Sequence, residues 1–273
     1  MVRFESMSTR PRRACLTVPA SSPRMLEKAA SLGADEVVVD LEDGVAVDAK
    51  ESARENLGLA HARGTLAIRL NGLATPWWRD DLAAAVAAKP DVVVLPKVET
   101  AEDVAELIEL LPAGIGLEVM VETARGLAEV ERIAELAGPL EALVFGPGDF
   151  GASLGVPVLT IGDGSWDYAL ARISVAAHAF ALQPIDGPYA ALDDEGGLRA
   201  SARRALGHGF EGKWVVHPKQ IDPVREVFTP GPDEIERARR ILAAADGASL
   251  VDGAMVDLAS KRLAERVLAR ANG

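Results

Sequence analysis

The stretch LEVMVETARG, residues 117–126, joins a run of apolar strand residues to the start of a helix through one glutamate, Glu122. The stretch LVFGPGDFG, residues 143–151, repeats this arrangement with Asp149. Continuously apolar strands are typical of a parallel sheet that is covered by helices on its faces. The carboxyl ends of parallel strands meet at one edge, so we expect Glu122 and Asp149 to lie close together.

The same alternation of short β-branched runs and longer helical segments extends along most of the chain. In AVDAKESARENLGLAHARG, apolar residues recur every three or four positions, which predicts a helix with one buried face. Eight strand–helix units in about 250 residues predict a TIM barrel rather than an open doubly wound sheet. The strand candidates are ACLTVPA, EVVVDLED, TLAIRLN, DVVVLPK, GLEVMVE, ALVFGPG, QPIDGPY and KWVVHPK.

Segments outside the eight units flank the predicted barrel, which extends over residues 14–230. Residues 1–13, MVRFESMSTRPRR, are basic and contain no apolar signal core, so we interpret them as a flexible arm; Met7 is an alternative start. Residues 231–273 contain two further helices joined by ASLVDGAMVDLAS and form a C-terminal extension. No low-complexity linker separates these parts, which favours one domain.

Composition limits the kinds of partner. The net charge of −12 argues against nucleic acid or an anionic membrane as the main partner. The single cysteine, Cys15, excludes an internal disulfide and favours a reducing, cytoplasmic location. No apolar run approaches the roughly 20 residues that a membrane helix needs.

Polar and ionisable residues follow most of the predicted strands, at the end where a TIM barrel carries its active site. A single strand-end carboxylate often caps the next helix, so each residue alone has a structural alternative. A whole set with both signs of charge favours a functional site. The set comprises Asp40, Glu42, Asp43, Arg69, Asn71, Lys97, Glu99, Glu122, Asp149, Asp186 and His217.

Glu122 and Asp149 are the strongest metal candidates in this set. Two carboxylates, completed by water and substrate oxygens, are a common way to hold Mg²⁺. Gly146 and Gly148 lack a Cβ, so the backbone around Asp149 could approach an anion closely and direct amides towards it. Capping of the next helix or turn is the structural alternative for both carboxylates.

Other residues at the strand ends have distinct predicted roles. Arg69 is expected to point into the barrel mouth and bind a carboxylate or a developing enolate oxygen, with a salt bridge to Glu42 or Asp43 as its alternative. Glu42 and Asp43 are expected to orient Arg69 and metal-bound waters. His217 precedes a proline and is interpreted as structural, and the acidic neighbours of Lys97 disfavour a Schiff-base role.

With these residues identified, the chain resembles the citrate lyase beta-subunit-like family of Mg²⁺-dependent lyases and aldolases. The resemblance implies a TIM barrel whose C-terminal helices pack on a neighbouring subunit, in a trimer or a multiple of it. The matching stretches, in the order in which the family has them, are SPRMLEKAASLGADEVVVDLEDGV, IRLNG, VVLPKVE, VETARG, FGPGDF, VVHPKQI and GAMVD.

The resemblance also implies residue roles. Glu122 and Asp149 match the family's metal ligands, and Arg69 matches its substrate-carboxylate arginine. Asp257 matches a catalytic aspartate that the neighbouring subunit delivers. The chain departs from the family pattern at Ala20 and Ala259, which affects the expected thioester contacts and the loop around Asp257.

The implied activity is retro-Claisen cleavage of a citryl, malyl or citramalyl thioester into an acyl thioester and a 2-oxo acid, which would be oxaloacetate, pyruvate or glyoxylate. The thioester would be carried by CoA or by an acyl carrier protein. The segment Gly146, Pro147, Gly148 and Asp149 would bind the substrate carboxylate, and Asp257 would remove the hydroxyl proton. A thioesterase, an aldolase of free acids and a non-catalytic carrier-binding subunit remain alternatives.

Overall fold

Eight parallel strands close into a barrel in the computed structural model, which describes residues 10–136, 138–157, 160–162, 164–245 and 247–272. Each strand pairs with the next in chain order, and the first pairs with the eighth, so the predicted TIM barrel is confirmed. The strands are β1 (Ala14–Pro19), β2 (Glu36–Asp40), β3 (Thr65–Arg69), β4 (Val92–Leu95), β5 (Gly116–Val121), β6 (Leu140–Phe145), β7 (Gln183–Asp186) and β8 (Gly212–Val215).

Helices connect the strands and cover the outside of the barrel. A second helix follows both β5 and β6, so the unit is not a simple repeat of one strand and one helix. The helices are α1 (Pro23–Ala29), α2 (Lys50–Glu55), α3 (Trp78–Ala88), α4 (Ala101–Leu110), α5 (Ala124–Ala128), α6 (Val130–Ala134), α7 (Pro147–Leu154), α8 (Asp167–Ala179), α9 (Glu195–Gly207) and α10 (Ile221–Phe228).

Alternation along the strands decides which side chains face the barrel interior. In β2, Val38 belongs to the interior cluster, whereas Val37 and Val39 pack beneath the helices. The same alternation turns Asp40 inward at the end of the strand. Asp40 is in register with Arg69 of β3, so a carboxylate and a guanidinium lie side by side at the carboxyl end of the barrel, which is its mouth.

The segment after β2 differs from the single helix that its periodicity predicts. It consists of a 3-10 turn (Val47–Ala49), helix α2 and a second 3-10 turn (Asn56–Leu59). Asn56 and Gly58 have low helix propensity, which accounts for the early end of α2. Two residues of the predicted buried face, Ala53 and Leu57, are nevertheless buried.

The C-terminal extension contains a β-hairpin that its sequence was not expected to form. Strands β9 (Ser249–Val251) and β10 (Ala254–Val256) are antiparallel and lie between α11 (Pro232–Ala243) and α12 (Leu258–Asn272). The turn residues Asp252 and Gly253 both have positive φ, 50° and 77°. This is the conformation for which Asp-Gly hairpin turns are selected.

Several large apolar side chains of this extension are exposed. Helix α12 packs against α11, which buries Ala264. On the remaining surface, four side chains retain between 63% and 77% exposure; they are Leu250, Met255, Leu258 and Leu263.

The residues before β1 correct the predicted N-terminal arm at Arg12 and Arg13. Arg12 is 1% exposed, and its guanidinium lies 2.9 Å from Glu36 and 2.6 Å from Glu118 inside the amino end of the barrel. Arg13 pairs with Asp35 at 2.9 Å. Carboxylates of the barrel therefore hold Arg12 and Arg13 in place, in contrast to the flexible arm that the sequence predicts. Residues 1–9 of the predicted arm lie outside the described residues.

Among the described residues, no helix is both long and apolar enough to cross a membrane.

Candidate active site

Arg69 and Asp40 form the best-defined ion pair of the barrel mouth. Nε and Nη2 of Arg69 donate to the two carboxylate oxygens of Asp40, each at 2.7 Å. The same oxygens accept the amides of Glu42 and Gly44, both at 2.8 Å. Burial opposes ionisation of Asp40, but the charge and hydrogen bonds of Arg69 outweigh it and lower the pKa of Asp40. One edge of the Arg69 guanidinium is therefore fixed within the protein.

The other edge of Arg69 faces the remaining acidic residues. Nη1 lies 3.0 Å from Oε2 of Glu42, and the guanidinium carbon lies 5.5 Å from the centre of the Trp214 ring. The salt-bridge alternative for Arg69 is thus present with Glu42. Asp43 does not pair with Arg69 and instead contacts Lys97.

Lys97 contacts three carboxylates, two from the loop after β2 and one from helix α7. Its Nζ lies 2.7 Å from Glu42, 2.9 Å from Asp43 and 3.7 Å from Asp149. Burial lowers the pKa of Lys97, but the hydrogen bonds that its ammonium donates to Glu42 and Asp43 outweigh this effect and raise the pKa. A protonated ammonium is not a nucleophile, which argues against a Schiff-base role.

Glu122 directly follows β5 and is 2% exposed. Its Oε1 accepts the backbone N–H of Lys97 at 2.7 Å. Burial and repulsion from Glu42 and Asp149 raise the pKa of Glu122 to about 8, although Arg69 acts in the opposite direction. The positive charge of Arg69 therefore compensates the negative charge of the buried Glu122 carboxylate only in part.

Gly146 and Asp149 come from the loop and helix that follow β6. A Cβ at Gly146 would lie 2.3 Å from Oε2 of Glu122, so only glycine allows the backbone to pass this close. Asp149 lies in the first turn of α7, with its side chain 39% exposed. The segment is a helix with Pro147 at its first position, where proline is favoured.

The donor set at this mouth fits Mg²⁺ best. Within the described residues, no three His, Cys, Asp or Glu side chains are grouped so that they could hold a metal ion together. Glu122 and Asp149 instead offer a pair of carboxylates, and the missing Cβ of Gly146 leaves room beside Oε2. Mg²⁺ commonly binds one or two carboxylates and completes its shell with water and substrate oxygens.

Several predicted residues lie away from this cluster. Asp186 ends β7 but faces outward, because its neighbour Ile185 is interior; it pairs with Lys213 at 2.5 Å, and Lys213 also contacts Ser201 of α9. His217 accepts the amide of Lys219 at 3.2 Å, which agrees with its predicted structural role.

Glu99 and Asp257 are partly exposed. The Glu99 side chain is 47% exposed and lies 3.9 Å from Arg125. Asp257 directly precedes α12, and its Oδ1 accepts the N–H and the hydroxyl of Ser260 at 3.0 and 3.1 Å. These two hydrogen bonds lower the pKa of Asp257. None of the contacts found for the described residues joins Asp257 to the mouth of its own barrel.

Lys50 supports the site and was not identified from the sequence. Its buried ammonium donates to the carbonyl oxygens of Leu41 and Glu42 at 2.6 and 2.7 Å, and to Oδ1 of Asn71 at 2.8 Å. Asn71 in turn donates to Asp81 at 2.6 Å. A lysine in a helical segment ordinarily indicates a solvated charge, so no local signal identifies this role.

Comparison with known proteins identifies the family. Residues 13–218 match the family described as HpcH/HpaI aldolase/citrate lyase. An L-malyl-CoA/beta-methylmalyl-CoA lyase of Cereibacter sphaeroides is 38% identical over 302 aligned residues, which cover 96% of this chain and 95% of the relative. A (3S)-malyl-CoA thioesterase of the same species is also 38% identical, over 278 residues and the same shares of both chains.

Solved structures agree with these relatives. CitE from Mycobacterium tuberculosis, in complex with magnesium, acetoacetate and coenzyme A, has a TM-score of 0.84 and 34% identity, and the match covers 97% of this chain and 100% of that one. RipC from Yersinia pestis has a TM-score of 0.72 and 33% identity over 84% of this chain and 100% of its own. The chain therefore belongs to the HpcH/HpaI aldolase/citrate lyase family, as its resemblance to citrate lyase beta subunits predicted.

Proposed function

We propose that the protein is a Mg²⁺-dependent carbon–carbon lyase that cleaves a malyl-type CoA thioester into an acyl-CoA and a 2-oxo acid. The observation that carries the proposal is the buried, charge-deficient Glu122 beside Asp149, at a mouth that also holds Arg69. Because several relatives are L-malyl-CoA/beta-methylmalyl-CoA lyases, we propose malyl-CoA or its β-methyl derivative as the substrate. The 2-oxo acid released would then be glyoxylate. CoA is favoured as the carrier because a related CitE structure contains it.

Glu122 and Asp149 would hold the metal. Once bound, Mg²⁺ would polarise the oxygens of the hydroxy acid part of the substrate and stabilise negative charge that develops there. Burial and nearby carboxylates raise the pKa of Glu122 to about 8, so its ionised form is poorly stabilised. A bound cation would stabilise that ionised form. Relatives in this fold contain magnesium together with acetoacetate or oxaloacetate.

Arg69 and the start of α7 would bind the substrate carboxylate. Asp40 fixes the Nε and Nη2 atoms of Arg69, so Nη1, which now faces Glu42, is the group best placed to meet an anion. The free amides of Gly148 and Asp149 lie in the first turn of α7, where the helix dipole also favours negative charge. These fixed donors require little rearrangement as charge develops during the reaction.

The proposed base is Asp257 from a neighbouring subunit of a homotrimer or a multiple of it. The base removes the substrate hydroxyl proton; the bond between the hydroxyl-bearing carbon and the thioester α-carbon then breaks. Its electron pair forms the thioester enolate, which takes up a proton to become the acyl-CoA. The exposed apolar residues around Asp257 support docking against another subunit, and burial there would raise its pKa and make it a better base.

A malyl-CoA thioesterase is the second candidate. The 302-residue alignment with the malyl-CoA lyase is longer than this 273-residue chain, so that lyase carries insertions relative to it. The 278-residue alignment with the thioesterase needs far fewer. In this reaction water would attack the thioester carbonyl and release CoA without breaking a carbon–carbon bond.

Product analysis separates the two reactions. The protein is incubated with malyl-CoA, citramalyl-CoA or citryl-CoA, with Mg²⁺ or with EDTA, and the products are identified by mass spectrometry. A lyase forms acetyl-CoA with glyoxylate, pyruvate or oxaloacetate, respectively, whereas a thioesterase forms free CoA and the intact hydroxy acid. Absence of acetyl-CoA with every substrate would refute the lyase.

A pair of variants tests the metal ligands. Glu122→Gln should lower kcat at least ~10²-fold, because the metal organises both substrate and charge. Asp149→Asn should have a similar effect. Glu99→Gln is the matched control: it neutralises another strand-end carboxylate that is exposed and should remain near wild type. Circular dichroism should be unchanged in all three.

A further inference from the structure

Lys97 has an unusual backbone conformation for a residue with a side chain. Its φ is +52°, in the left-handed region that disfavours residues other than glycine. The other such residues in the described part of the chain follow helices or form the hairpin turn; they are Lys89, Ala181 and Asp252. Only Lys97 adopts this conformation at the barrel mouth, so its contacts there must compensate for the strain.

The left-handed backbone lets both ends of Lys97 act on carboxylates. Its N–H donates to Glu122 at 2.7 Å, while its ammonium contacts Glu42 and Asp43 at 2.7 and 2.9 Å. The ammonium is farther from Asp149, at 3.7 Å. Lys97 therefore divides the acidic residues into two pairs: Glu42 and Asp43 are bound by its ammonium, and Glu122 and Asp149 remain for a metal.

We infer that Lys97 sets the metal selectivity of the site by keeping Glu42 and Asp43 away from the cation. The inference rests on the proposed function, in which Glu122 and Asp149 hold Mg²⁺. Mg²⁺ binds with one or two carboxylates and several waters, whereas Ca²⁺ takes six to eight oxygens and gains affinity with each added carboxylate. Two further carboxylates beside the same cation would favour Ca²⁺.

The neighbours of Glu42 and Asp43 show which of them could move. Glu42 is also held by Arg69 through Oε2, and Lys50 binds its carbonyl oxygen. Loss of the Lys97 ammonium would release only its Oε1. The Asp43 side chain is 61% exposed and has Lys97 as its ion-pair partner, so it would be free to turn towards the metal.

Lys97→Gly tests this inference with little risk to folding. Glycine adopts a φ of +52° without strain and keeps the N–H that donates to Glu122, but it lacks the ammonium. Titration calorimetry of the purified protein with Mg²⁺ alone and Ca²⁺ alone gives the ratio of the two dissociation constants. The variant should shift this ratio towards Ca²⁺ by about tenfold or more, since affinity for Ca²⁺ follows the number of carboxylates.

Two controls make the shift specific. Lys89→Gly removes another lysine of positive φ, at the end of α3, and should keep the wild-type ratio. In the double variant Lys97→Gly, Asp43→Asn, the ratio of the two dissociation constants should lie close to the wild-type ratio again. A ratio within about twofold of wild type in Lys97→Gly, or an equal loss of both ions, would overturn the inference.

The same titrations separate this inference from the proposed function. If Glu122→Gln binds Mg²⁺ as the wild type does, the proposed metal site itself is wrong. If Glu122→Gln loses Mg²⁺ while Lys97→Gly keeps the wild-type ratio, only the role of Lys97 is refuted.

Discussion

At the scale of single residues, Arg69 combines two tasks that a simple positive charge could not. Its Nε and Nη2 atoms form a two-point contact with Asp40, which fixes the plane of the guanidinium. Its Nη1 remains directed to the acidic side of the mouth. The side chain is 11% exposed, so an anion could reach it from the mouth.

Arg69→Lys should therefore lose activity although it keeps the charge. Lysine cannot reproduce the planar two-point contact, so we expect kcat/KM to fall on the order of 10²-fold and oxaloacetate to bind more weakly. Steady-state kinetics and calorimetry measure the two effects. Arg79→Lys, an exposed arginine that stacks on Trp78, serves as the control. Near-wild-type turnover of Arg69→Lys would mean that Arg69 only supports Asp40 and Glu42.

Gly146 gives a second test at this scale. In Gly146→Ala, the new Cβ would fall 2.3 Å from Oε2 and 2.4 Å from Cβ of Glu122, so the carboxylate must move. We expect Mg²⁺ affinity to fall by at least ~10-fold and stability to fall by about 1–3 kcal/mol. Calorimetry and thermal unfolding measure these changes. Gly58→Ala, where a Cβ meets nothing within 4 Å, should change neither; unchanged Mg²⁺ binding in Gly146→Ala would place the metal away from Glu122.

The residues that lie at the barrel mouth were easier to predict from the sequence than the hydrogen bonds and ion pairs that they form there. Side chains from β2, β3, β4 and β5 meet there because parallel strands end at one edge. Asp186 does not join them, since a shift of one position along a strand reverses the face on which a side chain lies. The contacts of Lys97 and Lys50 depend on one backbone dihedral and on loop carbonyls, which residue patterns do not reveal.

At the scale of elements, the regular barrel strands were predictable and the irregular segments were not. Apolar residues mark most of the strands, which are four to six residues long. Helix α7 contains Gly148 and Gly151, which lower helix propensity, yet Gly151 lies where a Cβ would meet the Trp166 ring at 3.3 Å. Tertiary packing therefore overrides local preference there. The hairpin β9–β10 did carry a signal in Asp252-Gly253, which lies between apolar pairs.

The amino end of the barrel contains a buried group of charges. Glu36 and Glu118 are both inaccessible to solvent and share Arg12. Burial and repulsion from Glu118 raise the pKa of Glu36 well above its ordinary value of 4.5, although Arg12 acts against this. Folded protein thus keeps a proton that the unfolded chain loses. The free energy of unfolding should fall as pH rises from about 4.5 towards the folded-state pKa of Glu36.

Glu36→Gln should remove this dependence, because glutamine has a similar shape and does not titrate. Relative to the variant, the wild type should lose stability between pH 5 and pH 8 by at most about 1.4 kcal/mol per pH unit. Chemical denaturation at both pH values measures the difference. Glu109→Gln, at an exposed position of α4, should follow the wild type. Parallel stability curves for wild type and Glu36→Gln would show that Glu36 is ionised in the folded state.

At the scale of the whole molecule, the C-terminal extension is the part of the described chain least explained by the barrel. Its apolar side chains Leu250, Met255, Leu258 and Leu263 are all mostly exposed, and Asp257 lies between Met255 and Leu258 in the sequence. Large apolar side chains that stay exposed in one part of a protein are typical of an interaction site. Docking of this surface on another copy would bring Asp257 to a barrel that already holds Glu122 and Arg69.

A shared site makes a quantitative prediction for mixtures of inactive variants. Asp257→Asn should bind Mg²⁺ and a 2-oxo acid normally but lack the base, whereas Glu122→Gln should keep the base and lose the metal. In a cyclic assembly, each site would take Glu122 from one chain and Asp257 from the next. Unfolding and refolding the two variants together at equal ratio should then create intact sites at about one position in four.

The expected activity of the mixture is thus roughly a quarter of the wild-type value, from two proteins that are inactive alone. The number follows from random pairing across a head-to-tail interface, since each half of a site is intact with a probability of about one half. Refolded Asp257→Asn alone and Glu122→Gln alone are the controls, and native mass spectrometry verifies that mixed oligomers form. If Asp257 served its own barrel, no chain in the mixture would carry both residues, and mixed oligomers would remain as inactive as the separate variants.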